Sequence, residues 1–256
     1  MTLNLSGNAR AAELAERLDR VRGRIRAAAP SDSAPTLIVV TKYFPASDVE
    51  LLAGLGVTDV GENKDQEAAP KADQTASLGL SWHFIGQLQS NKAKSVVRYA
   101  KAVHSVDRPS LVGALGKAMA AEQQRLAAAG MPPREDLDVF LQVDLRDPSA
   151  GAPGAGATSG PSRGGVLPAE LPALADAAAA TEGLRLAGLM AVAPLEGDPL
   201  EAFGRLRSLS LELRETHPEA AGISAGMSGD LEAALACGAT HLRIGSDILG
   251  PRPAVR

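Results

Sequence analysis

The 256-residue chain has a single cysteine, Cys237, so no internal disulfide can form, and a reducing compartment, the cytoplasm, is expected. Long apolar runs are missing. No stretch approaches the ~18 residues that a membrane-crossing helix needs, so no membrane partner is expected. The opening MTLNLSGNAR lacks the basic-then-apolar layout of a secretion signal. Neither sign of charge dominates: 26 Lys and Arg stand against 30 Asp and Glu, mixed along the chain. The net charge of −4 argues against nucleic acid or membrane held by bulk charge. The histidines, His83, His104, His217 and His241, are scattered, and no Cys/His ligand spacing exists, so no metal site is expected.

What is present is an apolar fraction of 45%, sufficient for one sizeable core, and a single domain over 1–256 is expected. Short β-rich runs alternate with longer helical runs. The strands are expected at 36–41, 58–61, 82–85, 102–106, 138–143, 186–192, 222–225 and 241–244. A helix precedes them, with Leu14, Leu18, Val21 and Ile25 on one face. Another opens at Asp198-Pro199-Leu200-Glu201, with Asp198 as cap and Phe203, Leu206, Leu209 and Leu213 as its buried stripe. Eight strands separated by helices point to an α/β fold, a parallel (β/α)8 barrel. After the last strand too little chain remains for a full closing helix, so the N-terminal helix is expected to cover the gap. A doubly wound open sheet is the alternative. Its G-x-G-x-x-G turn is absent, and Lys42-Tyr43-Phe44-Pro45 stands after the first strand. Residues 148–165 contain only Pro, Gly, Ala, Ser, Thr and Arg163, a composition expected to give a mobile loop.

In such a barrel the site lies at the C-terminal ends of the strands. Alternation puts Ile38, Val40 and Lys42 on one face. If that face is the inner one, Lys42 reaches the mouth over an apolar floor, and burial favours the neutral amine that imine formation requires. The bland alternative is a surface lysine at a strand end. Arg243 lies between Leu242 and Ile244, so it enters the barrel if they pack outward. A buried guanidinium requires an acceptor, either a carboxylate on a neighbouring strand or a ligand atom. Gly245-Ser246 and Gly226-Met227-Ser228-Gly229 follow the last two strands, where small residues let backbone N–H groups approach an anion. Ser228 is expected to cap a helix over 229–236. The bland reading of both is turn chemistry. Asn63 and His83 are further polar groups at strand ends, each compatible with a satisfied structural role. Lys92 and Lys94 fit a solvated face, and Cys237 fits packing.

Together these strings resemble the pyridoxal phosphate homeostasis protein family from about residue 10 onward. They are Val39-Val40-Thr41-Lys42, Gly61-Glu62-Asn63 with Gln66-Glu67, Trp82-His83-Phe84-Ile85-Gly86, Leu88-Gln89-Ser90-Asn91-Lys92, Gly188-Leu189-Met190, Met227-Ser228 with Asp230 and Glu232-Ala233-Ala234, and Arg243-Ile244-Gly245. The resemblance implies a fold-type III barrel similar to the barrel domain of alanine racemase, binding pyridoxal 5′-phosphate (PLP, a vitamin B6 form) as an internal aldimine, a Schiff base, on Lys42. It implies that Arg243 faces the pyridine nitrogen, that Ser228, Gly245 and Ser246 hold the phosphate, and that Asn63 lies near the ring's polar edge. His83 and Met227 complete the expected cofactor-binding set, and no catalytic residue is assigned. The chain departs from the family pattern at Thr41, where Ser is usual, at Ser246, where Thr is frequent, and in its long 148–165 segment. Ser162-Arg163-Gly164 resembles the family's Ser-Lys-x-Gly element.

Arg243 cannot protonate the pyridine nitrogen, because guanidinium holds its proton too tightly, and that weakens the cofactor as an electron sink. Racemases of similar fold take a second base from an added β-domain, and none is expected here. The residues therefore predict reversible PLP capture through Lys42 with little turnover. The family resemblance implies PLP storage, delivery and control of free PLP, with apo PLP-dependent enzymes as transient partners, and a monomeric chain is expected. A weak PLP-dependent amino-acid racemase is the alternative, and a cofactor-free Schiff-base aldolase is a third class.

Overall fold

The computed structural model describes residues 9–30, 34–146, 164–194 and 196–252. The expected loop over 148–165, and Ser162 and Arg163 with it, lie almost wholly outside the described residues.

Eight parallel strands close into a barrel in chain order. They are β1 (Thr36–Val40), β2 (Asp59–Glu62), β3 (Ser81–Phe84), β4 (Ala100–Val106), β5 (Leu137–Gln142), β6 (Leu184–Met190), β7 (Gly222–Ser224) and β8 (His241–Ile244). The seam closes where Thr36 pairs with His241 and Val39 with Ile244. Helices follow the strands: α2 (Ala46–Gly54), α3 (Asp65–Gln74), α4 (Ala93–Val96), α5 (Pro109–Ala128), α6 (Leu171–Ala179), α7 (Pro199–Thr216), α8 (Leu231–Ala236) and the short α9 (Ser246–Leu249). The helix α1 (Ala9–Ala28) precedes them all and packs against α2, α8 and α9, beside the β1–β8 seam. Its Leu14, Leu18, Val21 and Ile25 are buried, as their spacing requires. In α7, Asp198 accepts from Leu200 N at 2.9 Å, and Phe203, Leu206 and Leu213 are buried while Leu209 packs at the margin.

Strand alternation divides the side chains sharply. Val39, Val60, Trp82, Phe84, Val103, Val139, Leu141, Leu189, Leu242 and Ile244 face the helices and join one large apolar core. The inner face carries a separate small apolar cluster of Ala102, Phe140 and Met190, together with buried Ile38 and Val40 of β1. Barrels of this type commonly fill that space with branched aliphatics. Here it also holds buried His83, His104, Ser224 and Arg243, so the apolar floor that buried Ile38 and Val40 supply beneath Lys42 adjoins a polar interior.

Candidate functional site

The site is built from the ends of β1, β2, β7 and β8. Val40 pairs with Gly61, and two residues further along each strand stand Lys42 and Asn63. Ile38 pairs with Arg243, so Arg243 lies deeper in the barrel than Lys42. A Cβ on Gly245 would stand 3.3 Å from Val40 O, so the Gly245-Ser246 turn lies against the end of β1. At the other side, Gly86 packs directly on Asn63, where an added Cβ would fall 2.1 Å from Asn63 O. Asn63 Oδ1 is buried without a partner, an acceptor aimed at no protein donor among the described residues.

Lys42 is exposed, not buried as the strand parity suggested, because β1 ends at Val40 and the chain turns immediately. Tyr43 has φ 72°, the one non-glycine residue with positive φ among those described. Such a backbone costs ~1–3 kcal/mol and persists where its surroundings over-determine it. The restraints are visible. Tyr43 N donates to Glu67 Oε2 at 3.3 Å, and the Arg252 guanidinium lies 4.0 Å from the Tyr43 ring centroid. Lys42 Nζ and Lys64 Nζ each lie 5.8 Å from the same centroid. Behind the turn, fully buried Glu62 accepts from Thr41 Oγ1 at 2.8 Å and from Lys71 Nζ at 2.6 Å, and Lys71 Nζ also donates to Thr41 O at 3.0 Å. Burial pushes the Glu62 carboxyl up despite Lys71, and its Oε2 has no partner. Glu62 and Lys71 thus brace the strand end that presents Lys42. The Glu62 string was legible, but Lys71 gave no signal, since nothing in a solvated-looking helix marks one lysine as buried.

Arg243 is buried, with Nη1 donating to Ser224 Oγ at 2.5 Å and Nη2 to Ala191 O at 2.8 Å. No carboxylate lies within ion-pair distance of it among the described residues, so the expected alternative of an internal ion pair is not what the fold contains. Burial pushes its pKa down to about 10. From Ser224 a chain of hydrogen bonds runs down the barrel. His104 Nδ1 lies 2.8 Å from Ser224 Oγ, His104 Nε2 lies 2.9 Å from His83 Nδ1, and His83 Nε2 lies 2.9 Å from Asp59 Oδ1. The directions are consistent: Arg243 donates to Ser224, Ser224 to His104, His104 to His83, and His83 to the Asp59 carboxylate. Fully buried His104 is held well below the usual histidine range by desolvation, then by His83, Arg243 and His241. His104 stacks on Phe140 at 4.3 Å between centroids, and His241 lies 5.0 Å from the same ring. Three of the four histidines scattered in the sequence are therefore gathered inside the barrel, yet no group of His, Cys, Asp or Glu among the described residues is arranged to hold a metal. His83 has both ring nitrogens engaged by protein, which leaves only its ring face for a ligand. Strand parity was the available signal, since Asp59 and Asn63, Ala102 and His104, and His241 and Arg243 share faces.

At β7 and β8 the two turns meet: Ser228 Oγ lies 3.3 Å from Ser246 Oγ. The expected Ser228 cap is corrected here. The helix α8 begins at Leu231 with Asp230 at its N-cap, and Asp230 Oδ1 accepts from Met227 N at 2.6 Å. Aspartate competes for the cap and folds the segment into a turn, freeing the Ser228 hydroxyl and occupying the Met227 N–H. Gly226 has φ 92°, and a Cβ there would stand 2.8 Å from Ala234 Cβ and Leu242 Cδ2. Cys237 is a buried free thiol pushed up by burial, consistent with packing.

A closed barrel with a strand-end lysine, a buried arginine and paired serine turns defines a class, and the family model of the alanine racemase N-terminal domain matches residues 14–253. Closer relatives narrow it. The pyridoxal phosphate homeostasis protein of Mycobacterium tuberculosis is 40% identical over 260 residues, covering 95% of this chain and 94% of that one. The protein of the same name from Escherichia coli is 35% identical over 250 residues, covering 94% and 97%. The structure of PipY from Synechococcus elongatus PCC7942 with PLP bound superposes with a TM-score of 0.71 at 30% identity, covering 93% of this chain and 100% of that one. The chain belongs to the pyridoxal phosphate homeostasis protein family.

Proposed function

We propose that this chain binds PLP reversibly at the barrel mouth and serves PLP storage, delivery and control of free PLP in the cytoplasm. Lys42 Nζ attaches to the aldehyde carbon. Arg243 faces the pyridine nitrogen, Asn63 Oδ1 accepts at the ring's polar edge, and Ser228, Gly245 and Ser246 receive the phosphate. Met227 shapes the phosphate turn, and His83 acts through the interior chain. The observation that carries this reading is Arg243, a buried guanidinium answered, among the described residues, by a hydroxyl and a carbonyl oxygen and by no carboxylate. Such a group carries an uncompensated desolvation cost that a ligand acceptor would relieve. The orphaned Asn63 Oδ1, at the end of β2 on the other flank of β1 from Arg243, supports the same ligand. The relatives' name and the PLP-bound PipY structure point to that cofactor.

PLP supplies an aldehyde electrophile and a ring able to accept electrons. This chain's residues favour holding it over fast turnover. Arg243 donates to the ring nitrogen without giving up its proton. Lys42 is exposed, so its amine is open to solvent and to transient protein partners instead of being sealed with a substrate. The match to the alanine racemase N-terminal domain keeps a weak racemase as the second reading.

Titrating the purified protein with PLP under absorbance detection tests the proposal. A visible imine band that saturates at one PLP per chain and is lost in Lys42→Ala is the expected result; protein that stays colourless with excess PLP rules the proposal out. Rapid solvent-deuterium exchange at the alanine Cα, abolished in Lys42→Ala, would favour the racemase.

A further inference from the structure

Arg24, near the end of α1, lies outside every strand end, yet it touches both turns assigned to the phosphate. Its Nε donates to Glu232 Oε1 at 2.8 Å and its Nη2 to Glu232 Oε2 at 2.9 Å, a two-pronged grip on the first turn of α8. Nη1 donates to Asp247 Oδ2 at 2.7 Å, directly after Ser246. Nη2 also donates to Ser228 O at 3.1 Å. One guanidinium thus joins α1, the turn after β7 and the turn after β8.

We infer that Arg24 is a positioning residue for the phosphate cradle: by gripping the Ser228 carbonyl, Glu232 and Asp247 together, it fixes how the Ser228 and Ser246 turns face each other. The inference rests on the phosphate reading above. Arg24 is not itself a phosphate ligand, since four hydrogen bonds to protein oxygens occupy its fork and two carboxylates answer its charge. Its action follows from peptide geometry. In a trans peptide the C=O and the following N–H point in opposite directions. Holding Ser228 O toward Arg24 therefore turns the Gly229 N–H away from it and prevents that peptide from flipping. The grip on Asp247 fixes the neighbouring turn in the same frame, and the two hydroxyls stand 3.3 Å apart as a result. Without Arg24 the two turns keep their strands but lose their common anchor.

The test separates phosphate from aldehyde recognition. PLP and 5′-deoxypyridoxal, which has the aldehyde and ring but no phosphate, are titrated into wild type, Arg24→Ala, Arg24→Lys and Asp247→Asn. Arg24→Ala is expected to weaken PLP about tenfold and 5′-deoxypyridoxal less than twofold, with Asp247→Asn showing the same selectivity at smaller size. Arg24→Lys, which cannot span three acceptors, recovers only part of the loss. Thermal midpoints of the cofactor-free variants accompany the titrations. Parallel weakening of both aldehydes, or none of either, overturns the assignment of Arg24. Wild type that captures neither aldehyde overturns the PLP reading itself. If Arg24→Ala does not fold, Asp247→Asn and Arg24→Lys decide by the same ratio.

Discussion

Arg243 and Lys42 divide the work at the level of single residues. The lysine is exposed at the strand end; the arginine is buried and already oriented by Ser224 and Ala191 O. This division gives a crossed prediction. Arg243→Met keeps much of the volume and removes a buried charge that no carboxylate neutralises, a change often neutral or stabilising. Thermal denaturation of the cofactor-free variant should show a midpoint no lower than wild type. The same variant should bind PLP about tenfold more weakly, ~1.4 kcal/mol. A variant less stable and equally tight would show that Arg243 serves the fold alone. Gly86 makes the opposite case. Gly86→Ala drives a Cβ into Asn63 O, so the loop that presents Asn63 must move. PLP affinity should fall even where circular dichroism shows an intact barrel. The placement of Lys42, Asn63, Ser228, Arg243 and Ser246 on or just after strands was legible in the sequence because strand ends and parity mark it. The exposure of Lys42 was not, because parity says nothing about where a strand stops.

Between elements, the interior hydrogen-bond chain joins β2, β3, β4, β7 and β8, from Asp59 to Arg243. His104 in that chain and His241 beside it make folding pH-dependent with a definite sign. Burial first, then neighbouring His83, pushes His241 down from 6.5 to about 4, and His104 is likewise pushed down. As pH falls below 6.5, the unfolded chain takes up protons that the folded chain refuses. Stability present above that pH is therefore lost as pH falls, with the His241 share exhausted near pH 4. His104→Gln should flatten this dependence by about one proton, ~1.4 kcal/mol per pH unit, in urea denaturation measured across that range. An unchanged slope would mean that His104 titrates normally. The strands were legible to within a residue or two, and β8 at both ends, because apolar alternation marks them. The start of α8 was missed because Ser228 and Asp230 are both good cap residues, and only the fold shows that Asp230 stands at the helix start with its carboxylate turned back to Met227 N. The histidine cluster was missed because strands far apart in sequence bring it together.

Across the whole molecule, α1 packs over α2, α8 and the short α9 that follows β8. Its Leu18 is essentially fully buried in the same core as the outward strand residues. Leu18→Ala should cost ~3 kcal/mol by chemical denaturation, within the range for leucine truncation in cores. If Arg24 transmits the position of α1 to the phosphate turns, the variant should also show a lower preference for PLP over 5′-deoxypyridoxal. The packing of α1 on the barrel was legible, since its buried stripe had to meet a surface. Its second role through Arg24 was not, because an arginine on a helix looks like any solvated charge until its partners are placed. The central claim remains the attachment of PLP to Lys42. Borohydride reduction of the PLP-loaded protein, followed by peptide mass spectrometry, tests it most directly. The account predicts a single pyridoxyl-phosphate adduct on the peptide containing Lys42 and none in Lys42→Ala; an adduct on another lysine, with Lys42 unmodified, would contradict it.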